Sequence, residues 1–285
     1  MHIYRINFLF LMLFATSNLF AAYYPTSSWE ISSPVDQQVR TDNVDALVNL
    51  AFLDDSTQAV VVIKNGKIIS EKYAEGYDKN SHGTSWSMAK SYYAALIGIS
   101  IDRGEIGGLD DKVSDYLTYF NDERSEITIR DLLDMSSGLD FPKDEHETMF
   151  FQEDHLKYAM GVGVEKSAGL KFEYNNVNSM LLGDILIATT GKKADVLLKE
   201  RILDLIGVTD YKLWKDENGN VLTYCCVDMS ARDYSKIGLL FSRNGNWDGK
   251  QLISKQYIDE TFQVVWDITP ERFTTLKRGY SLHWW

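Results

Sequence analysis

A serine and a lysine three positions apart, Ser87 and Lys90, are the residues whose types and spacing most directly indicate chemistry. They precede an apolar run, residues 91–101, with helical spacing, so both are predicted at the start of a helix. Residues three apart share one helix face, which brings the hydroxyl within reach of the amine. The positive end of a helix disfavours an ammonium and lowers the lysine pKa. The pair therefore predicts a serine nucleophile beside a lysine base.

A tyrosine and an asparagine two positions apart, Tyr174 and Asn176, precede a second predicted helix at residues 177–190. A phenol can transfer a proton, and an amide can hold a substrate carbonyl. Taken alone, the pattern is more typical of a buried tyrosine beside an asparagine helix cap. A role in chemistry therefore depends on the combination with the serine and the lysine.

The two motifs in this order resemble those of the penicillin-recognising serine hydrolases, in the branch of class C β-lactamases, DD-peptidases and esterases. Residues 127–139 resemble the signature segment between the motifs, and residues 230–238 resemble the segment that follows them. Within the branch, the sequence is most similar to relatives of 6-aminohexanoate-dimer hydrolase. The similarity extends from about residue 55 to residue 285.

The resemblance implies a role for each motif residue. Ser87 would be the acylated nucleophile and Lys90 its activating base. Tyr174 would carry a proton to the leaving group and help to activate the deacylating water. Asn176 would orient the substrate, and the Ser87 backbone N–H would form one arm of the oxyanion hole.

The activity that the resemblance implies is hydrolysis of a small-molecule amide or ester through an acyl-enzyme, with no metal and no cofactor. The candidate substrates are β-lactams, short esters and linear amides or peptides. Two alternatives stay open: a DD-peptidase acting on cell-wall peptides, and a non-catalytic penicillin-binding or sensing module that is acylated and stalls. The oligomeric state is also open.

The organisation of the chain predicts a mixed α/β (α+β) fold of the β-lactamase/transpeptidase-like type. Two β-rich runs around Asn65-Gly66 predict a hairpin. Residues 105–236 are mainly helical, and residues 279–285 resemble a strand that returns to the sheet. The expected architecture is an antiparallel sheet flanked by helices, with a mainly helical region inserted.

The ends of the chain carry three further expectations. Residues 1–22, with a basic start and a short apolar core, predict a signal peptide, and hence a periplasmic or secreted protein without stable membrane insertion. Residues 23–54 are predicted to be an N-terminal arm, in which residues 23–44 are polar, irregular and at the surface. The third motif of the family, a Lys or His followed by a small residue and Gly, is not found by residue 285. We therefore expect the domain at residues 55–285 to be an incomplete part of a longer gene product.

The net charge and the positions of the Cys and His residues argue against several kinds of partner and against a metal site. A formal net charge of −12 argues against nucleic acid or an anionic membrane surface as a partner. The adjacent Cys225 and Cys226 are no disulfide framework and no metal site; a vicinal disulfide is open, but two buried thiols are favoured. His146 and His155 lie in an acidic run, which is read as a solvated charged loop rather than a cation site.

Overall fold

The computed structural model describes residues 23–140, 148–268 and 278–285, so the predicted signal peptide and His146 lie outside the described residues. No helix within these ranges is long and apolar enough to cross a membrane. The helices are α1 (Thr41–Ala51), α2 (Ala89–Asp102), α3 (Ile129–Leu133), α4 (His155–Met160), α5 (Asn176–Thr190), α6 (Ala194–Leu198), α7 (Ala231–Ser242) and α8 (Lys255–Thr261). The strands are β1 (Ala59–Lys64), β2 (Lys67–Tyr73), β3 (His82–Thr84), β4 (Lys212–Leu213), β5 (Val227–Ser230), β6 (Asn246–Trp247), β7 (Lys250–Gln251), β8 (Trp266–Ile268) and β9 (Arg278–Tyr280).

The helices α2 and α5 form the centre of the core. Every residue of α2 from Ala89 to Ser100 is buried, which is typical of a helix that is apolar on all faces. This helix contacts α5 and α6, and α5 in turn contacts α3 and α4. The prediction of helices from the apolar spacing is confirmed for both, and left-handed glycines follow their ends, Gly104 after α2 and Gly191 after α5.

The strands form small antiparallel sheets. The hairpin predicted at Asn65-Gly66 joins β1 and β2, and both turn residues have the positive φ angles of a primed turn (54° and 82°). A second sheet has the strand order β3-β5-β4. The prediction of helices combined with antiparallel strands is confirmed.

The expected single sheet with a returning strand is not seen within the described ranges. Here β9 pairs with β8, and the strands belong to four separate sheets. The aromatic segment that follows β9 turns back on itself through a bridge between Ser281 and Trp284. The strand predicted over residues 279–285 is therefore present only at residues 279–280, and the sequence could not identify its partner.

The N-terminal arm at residues 23–54 contains a helix in its second half. Helix α1 lies within it and contacts both strands of the hairpin, burying Val44 and Val48. Ile31 forms a parallel bridge with Ile68 along β2. Helix α1 and this bridge therefore attach the arm to the hairpin.

A glycine at the centre of α2 allows a close approach of helix α8. A Cβ atom on Gly98 would lie 2.5 Å from the ring of Tyr257, whose hydroxyl donates to the carbonyl of Ala94. The tyrosine is buried, so its ring has little freedom to move away. The lack of a side chain at this position is therefore a packing requirement.

We expect Gly98→Ala to lower the free energy of unfolding by about 1–3 kcal/mol, because the added methyl overpacks this contact. Gly238→Ala is the matched control: Gly238 is exposed within α7, and nothing lies within 4 Å of the Cβ it would gain. That substitution should stabilise the protein by about 0.5–1 kcal/mol through helix propensity. Urea unfolding of both variants measures the difference, and equal effects would contradict the packing argument.

Candidate active site

Ser87 and Lys90 are in contact. Ser87 is exposed in a short 3₁₀ turn, Trp86–Met88, that runs directly into α2. Lys90 lies in the first turn of α2, and its Nζ donates to Oγ of Ser87 at 3.1 Å. The contact expected from the spacing is present, although the serine stands in the turn before the helix rather than in its first turn.

The amine of Lys90 is buried among neutral oxygen atoms. Lys90 is 1% exposed, and its Nζ also donates to the carbonyl of Tyr224 at 2.7 Å. Burial lowers the pKa of Lys90 to about 7 from the 10.5 of a free lysine. A large fraction of the amine is therefore neutral near neutral pH and can accept a proton.

The turn that carries Ser87 is fixed by backbone contacts with the segment around β5. The N–H of Ser85 donates to the carbonyl of Val227 at 2.8 Å, and the N–H of Val227 donates back to Oγ of Ser85 at 2.9 Å. The N–H of Cys226 donates to the carbonyl of Trp86, which has a positive φ of 46°. A non-glycine residue in this conformation requires support from its surroundings.

Cys225 and Cys226 are paired in a vicinal disulfide, and both are buried. The sequence-based preference for two free thiols was therefore wrong. Cys226 has a φ of 77°, and the chain reverses direction just before it, in the turn at residues 222–225 where the N–H of Cys225 donates to the carbonyl of Leu222 at 3.0 Å. This reversal places the carbonyl of Tyr224 toward Lys90 and the N–H of Cys226 toward Trp86.

Tyr174 completes the group around the serine. Its phenol lies near enough to Ser87 for that side chain to lower the phenol's pKa, and its ring lies 4.9 Å from Nζ of Lys90. Burial has the larger effect and raises the pKa of the Tyr174 phenol above its usual 10. The ring stacks on Trp285 with a centroid distance of 5.8 Å. The structure thus brings together three residues, Ser87, Lys90 and Tyr174, that the sequence analysis had selected.

Asn176 is the first residue of α5, two positions beyond Tyr174. Its neighbour Asn175, and not Asn176, caps this helix by accepting from the N–H of Val177 at 2.9 Å. The side-chain oxygen of Asn176 is buried and has no hydrogen-bond partner among the residues that the structure describes. Buried polar atoms are nearly always satisfied in native structures, so this oxygen is available for a ligand. Its predicted role in orienting substrate stays a prediction.

Metal-binding groups do not gather at this site. Across the three ranges for which coordinates are described, no cluster of three or more His, Cys, Asp or Glu side chains is arranged to hold a metal ion. The polar groups around Ser87 are a lysine amine, a phenol and backbone carbonyls. Such groups suit proton transfer rather than metal ligation.

Comparison with known families identifies the origin of this arrangement. A model of the Beta-lactamase family matches residues 53–284, which is most of the chain. The chain belongs to the beta-lactamase family. The resemblance inferred from the two motifs and their intervening segments is confirmed, as is the β-lactamase/transpeptidase-like fold.

The similar proteins of known name are distant. The chain is 27% identical over 173 residues to an N-acetylmuramyl-L-alanine amidase of Bacillus subtilis, covering 50% of this chain and 39% of the amidase. It is 20% identical over 254 residues to the 6-aminohexanoate-dimer hydrolase of Paenarthrobacter ureafaciens, covering 80% and 64%. The chain thus spans less than two thirds of either relative. The solved structure of EstCE1, a hydrolase with promiscuous acyltransferase activity, superimposes with a TM-score of 0.68 at 15% identity, covering 87% of this chain and 83% of EstCE1.

His155 is a residue at this beta-lactamase-family site that the sequence analysis misread. It was expected in a solvated loop, but it is 4% exposed and begins α4. Its Nδ1 lies 2.9 Å from the hydroxyl of Tyr224. The acidic neighbours of His155 in the sequence hid the fact that its own side chain points inward.

His283 is a second buried histidine that the sequence analysis did not assign. It is 3% exposed, its Nδ1 lies 2.7 Å from the carbonyl of Leu133, and its Nε2 lies 2.9 Å from Oγ of Ser179. Its own carbonyl accepts from Oγ of Ser91, the residue after Lys90. These contacts fix the C-terminal segment against α2, α3 and α5. Only a tertiary contact distinguishes this histidine from an exposed one, so no sequence signal could have found it.

The protonation of His283 gives a prediction for acid stability. Burial, with a smaller contribution from Lys90, lowers the pKa of His283 to about 3, whereas an unfolded histidine titrates near 6.5. The unfolded chain therefore binds one more proton below about pH 6.5, and the stability supplied by the neutral histidine is lost as the pH falls toward 3. We expect a loss of about 1.4 kcal/mol per pH unit from this group.

Urea unfolding between pH 4 and pH 7 tests this expectation. The variant His283→Gln cannot titrate in this range, so its stability should fall less steeply with decreasing pH than that of the wild type. Since carboxyl groups titrate in both proteins, the difference between the two slopes isolates His283. Parallel slopes would mean that the histidine is not held neutral in the folded state.

Proposed function

We propose that this protein is a serine hydrolase that cleaves an amide or ester through an acyl-enzyme on Ser87. The observation that carries the proposal is the contact between the exposed Ser87 hydroxyl and a buried lysine amine whose pKa lies at about 7. A neutral amine beside a hydroxyl is an activated nucleophile. Membership of the beta-lactamase family supports the same chemistry.

Acylation begins when Oγ of Ser87 attacks the substrate carbonyl carbon while Nζ of Lys90 takes its proton. The carbonyl oxygen becomes an oxyanion, toward which the N–H of Ser87 is one predicted donor. The bond to the leaving group then breaks, and the phenol of Tyr174 delivers a proton to the departing nitrogen or oxygen. Asn176 offers its unpartnered amide oxygen to a polar group of the substrate.

Deacylation uses the same groups in reverse. A water molecule gives a proton to the Tyr174 and Lys90 pair as its oxygen attacks the ester carbonyl of the acyl-enzyme. The bond between the carbonyl carbon and Oγ of Ser87 breaks, and the serine regains its proton. The free acid leaves, and the site returns to its starting state without a metal or a redox partner.

The names of similar proteins and of a similar solved structure support a broad substrate class. The curated relatives are named for an amidase and for a 6-aminohexanoate-dimer hydrolase, and the solved structure is named as a hydrolase with acyltransferase activity. These names favour amides and esters of small molecules. We further propose export, to the periplasm or medium, on the basis of the signal-like residues 1–22 alone.

The first test is covalent labelling. A fluorophosphonate probe should modify the wild type at Ser87, whereas Ser87→Ala should show no adduct and no ester hydrolysis. Ser56→Ala, which changes an exposed serine elsewhere, should label as the wild type does. Intact-protein and peptide mass spectrometry locate the adduct. A residual adduct on another residue of Ser87→Ala would remove Ser87 from its role.

The fate of the acyl-enzyme separates hydrolase from sensor. A chromogenic ester or cephalosporin that gives steady release after any burst supports turnover. A burst equal to the enzyme concentration, with no further release, would instead favour the penicillin-binding module that is acylated and stalls. Release from a cell-wall peptide ending in D-alanine would favour the DD-peptidase.

The pKa of Lys90 predicts the pH dependence of acylation. Only the neutral amine accepts a proton, so the labelling rate should rise about tenfold per unit below about pH 7 and level off above it. Labelling rates from pH 5.5 to 9, with circular dichroism to verify folding at each pH, measure this limb. A rate that is independent of pH across this range would exclude Lys90 as the base.

A further inference from the structure

The carbonyl group that accepts from Lys90 belongs to a residue whose side chain is also held in place. Tyr224 is 3% exposed, and its hydroxyl lies 2.9 Å from Nδ1 of His155. Burial raises the pKa of the phenol far above its usual value, so the hydroxyl keeps its proton and is the donor. The two ends of one residue thus connect Lys90 to His155.

His155 is itself held from several directions. Its backbone N–H donates to a carboxylate oxygen of Asp216 at 3.0 Å, and its ring lies 6.1 Å from that of Phe150 and 5.9 Å from that of Tyr224. Burial lowers its pKa below the usual 6.5, so the imidazole is neutral and can accept at Nδ1. A neutral, fixed acceptor defines where the Tyr224 hydroxyl must lie.

Tyr224 lies within a tight turn, in which the N–H of Cys225 donates to the carbonyl of Leu222 at 3.0 Å, so its carbonyl and its side chain are held in one short unit. Cys226 has a positive φ, and its N–H donates to the carbonyl of Trp86. The segment therefore contacts the nucleophile turn at one point and Lys90 at another. If the backbone of Tyr224 rotated, its carbonyl oxygen would move away from Nζ of Lys90, from which it now lies 2.7 Å.

We propose that His155 is a positioning residue for the base: through the side chain of Tyr224 it sets the Tyr224 carbonyl against Nζ of Lys90. The catalytic meaning of this proposal rests on the proposed function, in which Lys90 takes the proton of Ser87. The proposal assigns His155 no contact with substrate.

Other titratable groups surround the two ends of this connection. Tyr174 lies over Lys90, and His283 is close enough for the Lys90 charge to affect its pKa. Asp154 and Asp216 lie near His155 and oppose the lowering of its pKa. The variants below leave all four of these groups in place, so a change in the behaviour of Lys90 is attributable to the Tyr224 hydroxyl or to the imidazole.

The experiment removes the hydrogen bond between Tyr224 and His155 by substituting each partner in turn. Tyr224→Phe deletes only the hydroxyl, and His155→Phe keeps a ring but deletes the acceptor. Each should slow fluorophosphonate labelling of Ser87 about tenfold, since misplacement of a base by a fraction of an ångström is costly. The pH range over which the labelling rate rises should also move to lower pH. The Tyr224 carbonyl stabilises the charged form of Lys90, so a weaker contact lowers the pKa of Lys90.

The conservative variant His155→Asn should rescue much of the rate, because an asparagine amide can place an oxygen near the position of Nδ1. The double variant, Tyr224→Phe with His155→Phe, should lose no more than either single variant. Tyr119→Phe is the matched control: it deletes a partly buried hydroxyl that donates to Asp184 at 2.7 Å, away from Lys90. It should alter neither the rate nor the pH limb.

A direct titration keeps this proposal separate from the proposed function. Lysine labelled with ¹³C at Cε reports the pKa of Lys90 by NMR, with its signal assigned by its loss in Lys90→Ala. A shifted titration in Tyr224→Phe and His155→Phe supports the positioning role even if the wild type hydrolyses no ester. The proposal would be overturned if both variants are folded, as measured by thermal unfolding, and neither the pKa of Lys90 nor the pH dependence of labelling changes. Additive losses in the double variant would also overturn it, whereas failure of the wild type to label at Ser87 would contradict only the proposed function.

Discussion

The candidate site depends on one constraint: the amine of Lys90 is buried, and no carboxylate within the described part of the chain pairs with it. An ammonium removed from water costs several kcal/mol unless it is paired, so the group gives up its proton instead. The partners of Lys90 are the hydroxyl of Ser87 and the carbonyl of Tyr224, and neither carries a charge. A carboxylate in their place would hold the amine charged and useless as a base. The chemistry therefore follows from what surrounds the amine as much as from the amine itself.

The fold supplies this environment by bringing three chain segments to the start of α2. The nucleophile turn is fixed by its bonds to the segment before β5, and the loop before α5 brings Tyr174 over the amine. The C-terminal segment packs against the same helices, because His283 hydrogen-bonds to residues of α2, α3 and α5. Lys90 is only 1% exposed in a helix that is buried along most of its length. Exposed Ser87 is the point at which the buried amine can influence a substrate.

The sequence was sufficient for those parts of the site that lie within a few residues of one another. Ser87 and Lys90 are three apart, so helical geometry alone brings them together, and Asn65-Gly66 specifies its hairpin in the same way. Tyr174 could be placed only through resemblance to a family, because its contact with Ser87 spans most of the helical region. His155 was misread for a related reason. Its local sequence is acidic and polar, whereas its burial is decided by Tyr224, 69 residues away.

Two tyrosines lie beside Lys90, and the end that each presents to it separates their roles. The phenol of Tyr174 lies near enough to Ser87 for that side chain to lower its pKa, so its proton can reach the reacting atoms. Tyr224 directs its hydroxyl to His155 and presents to the lysine its carbonyl and its ring, whose centroid lies 5.8 Å from Nζ. A residue type therefore does not decide a role at this site. The direction of each hydroxyl does, and a loss of proton transfer should accompany the loss of the first phenol, while a loss of position should accompany the loss of the second.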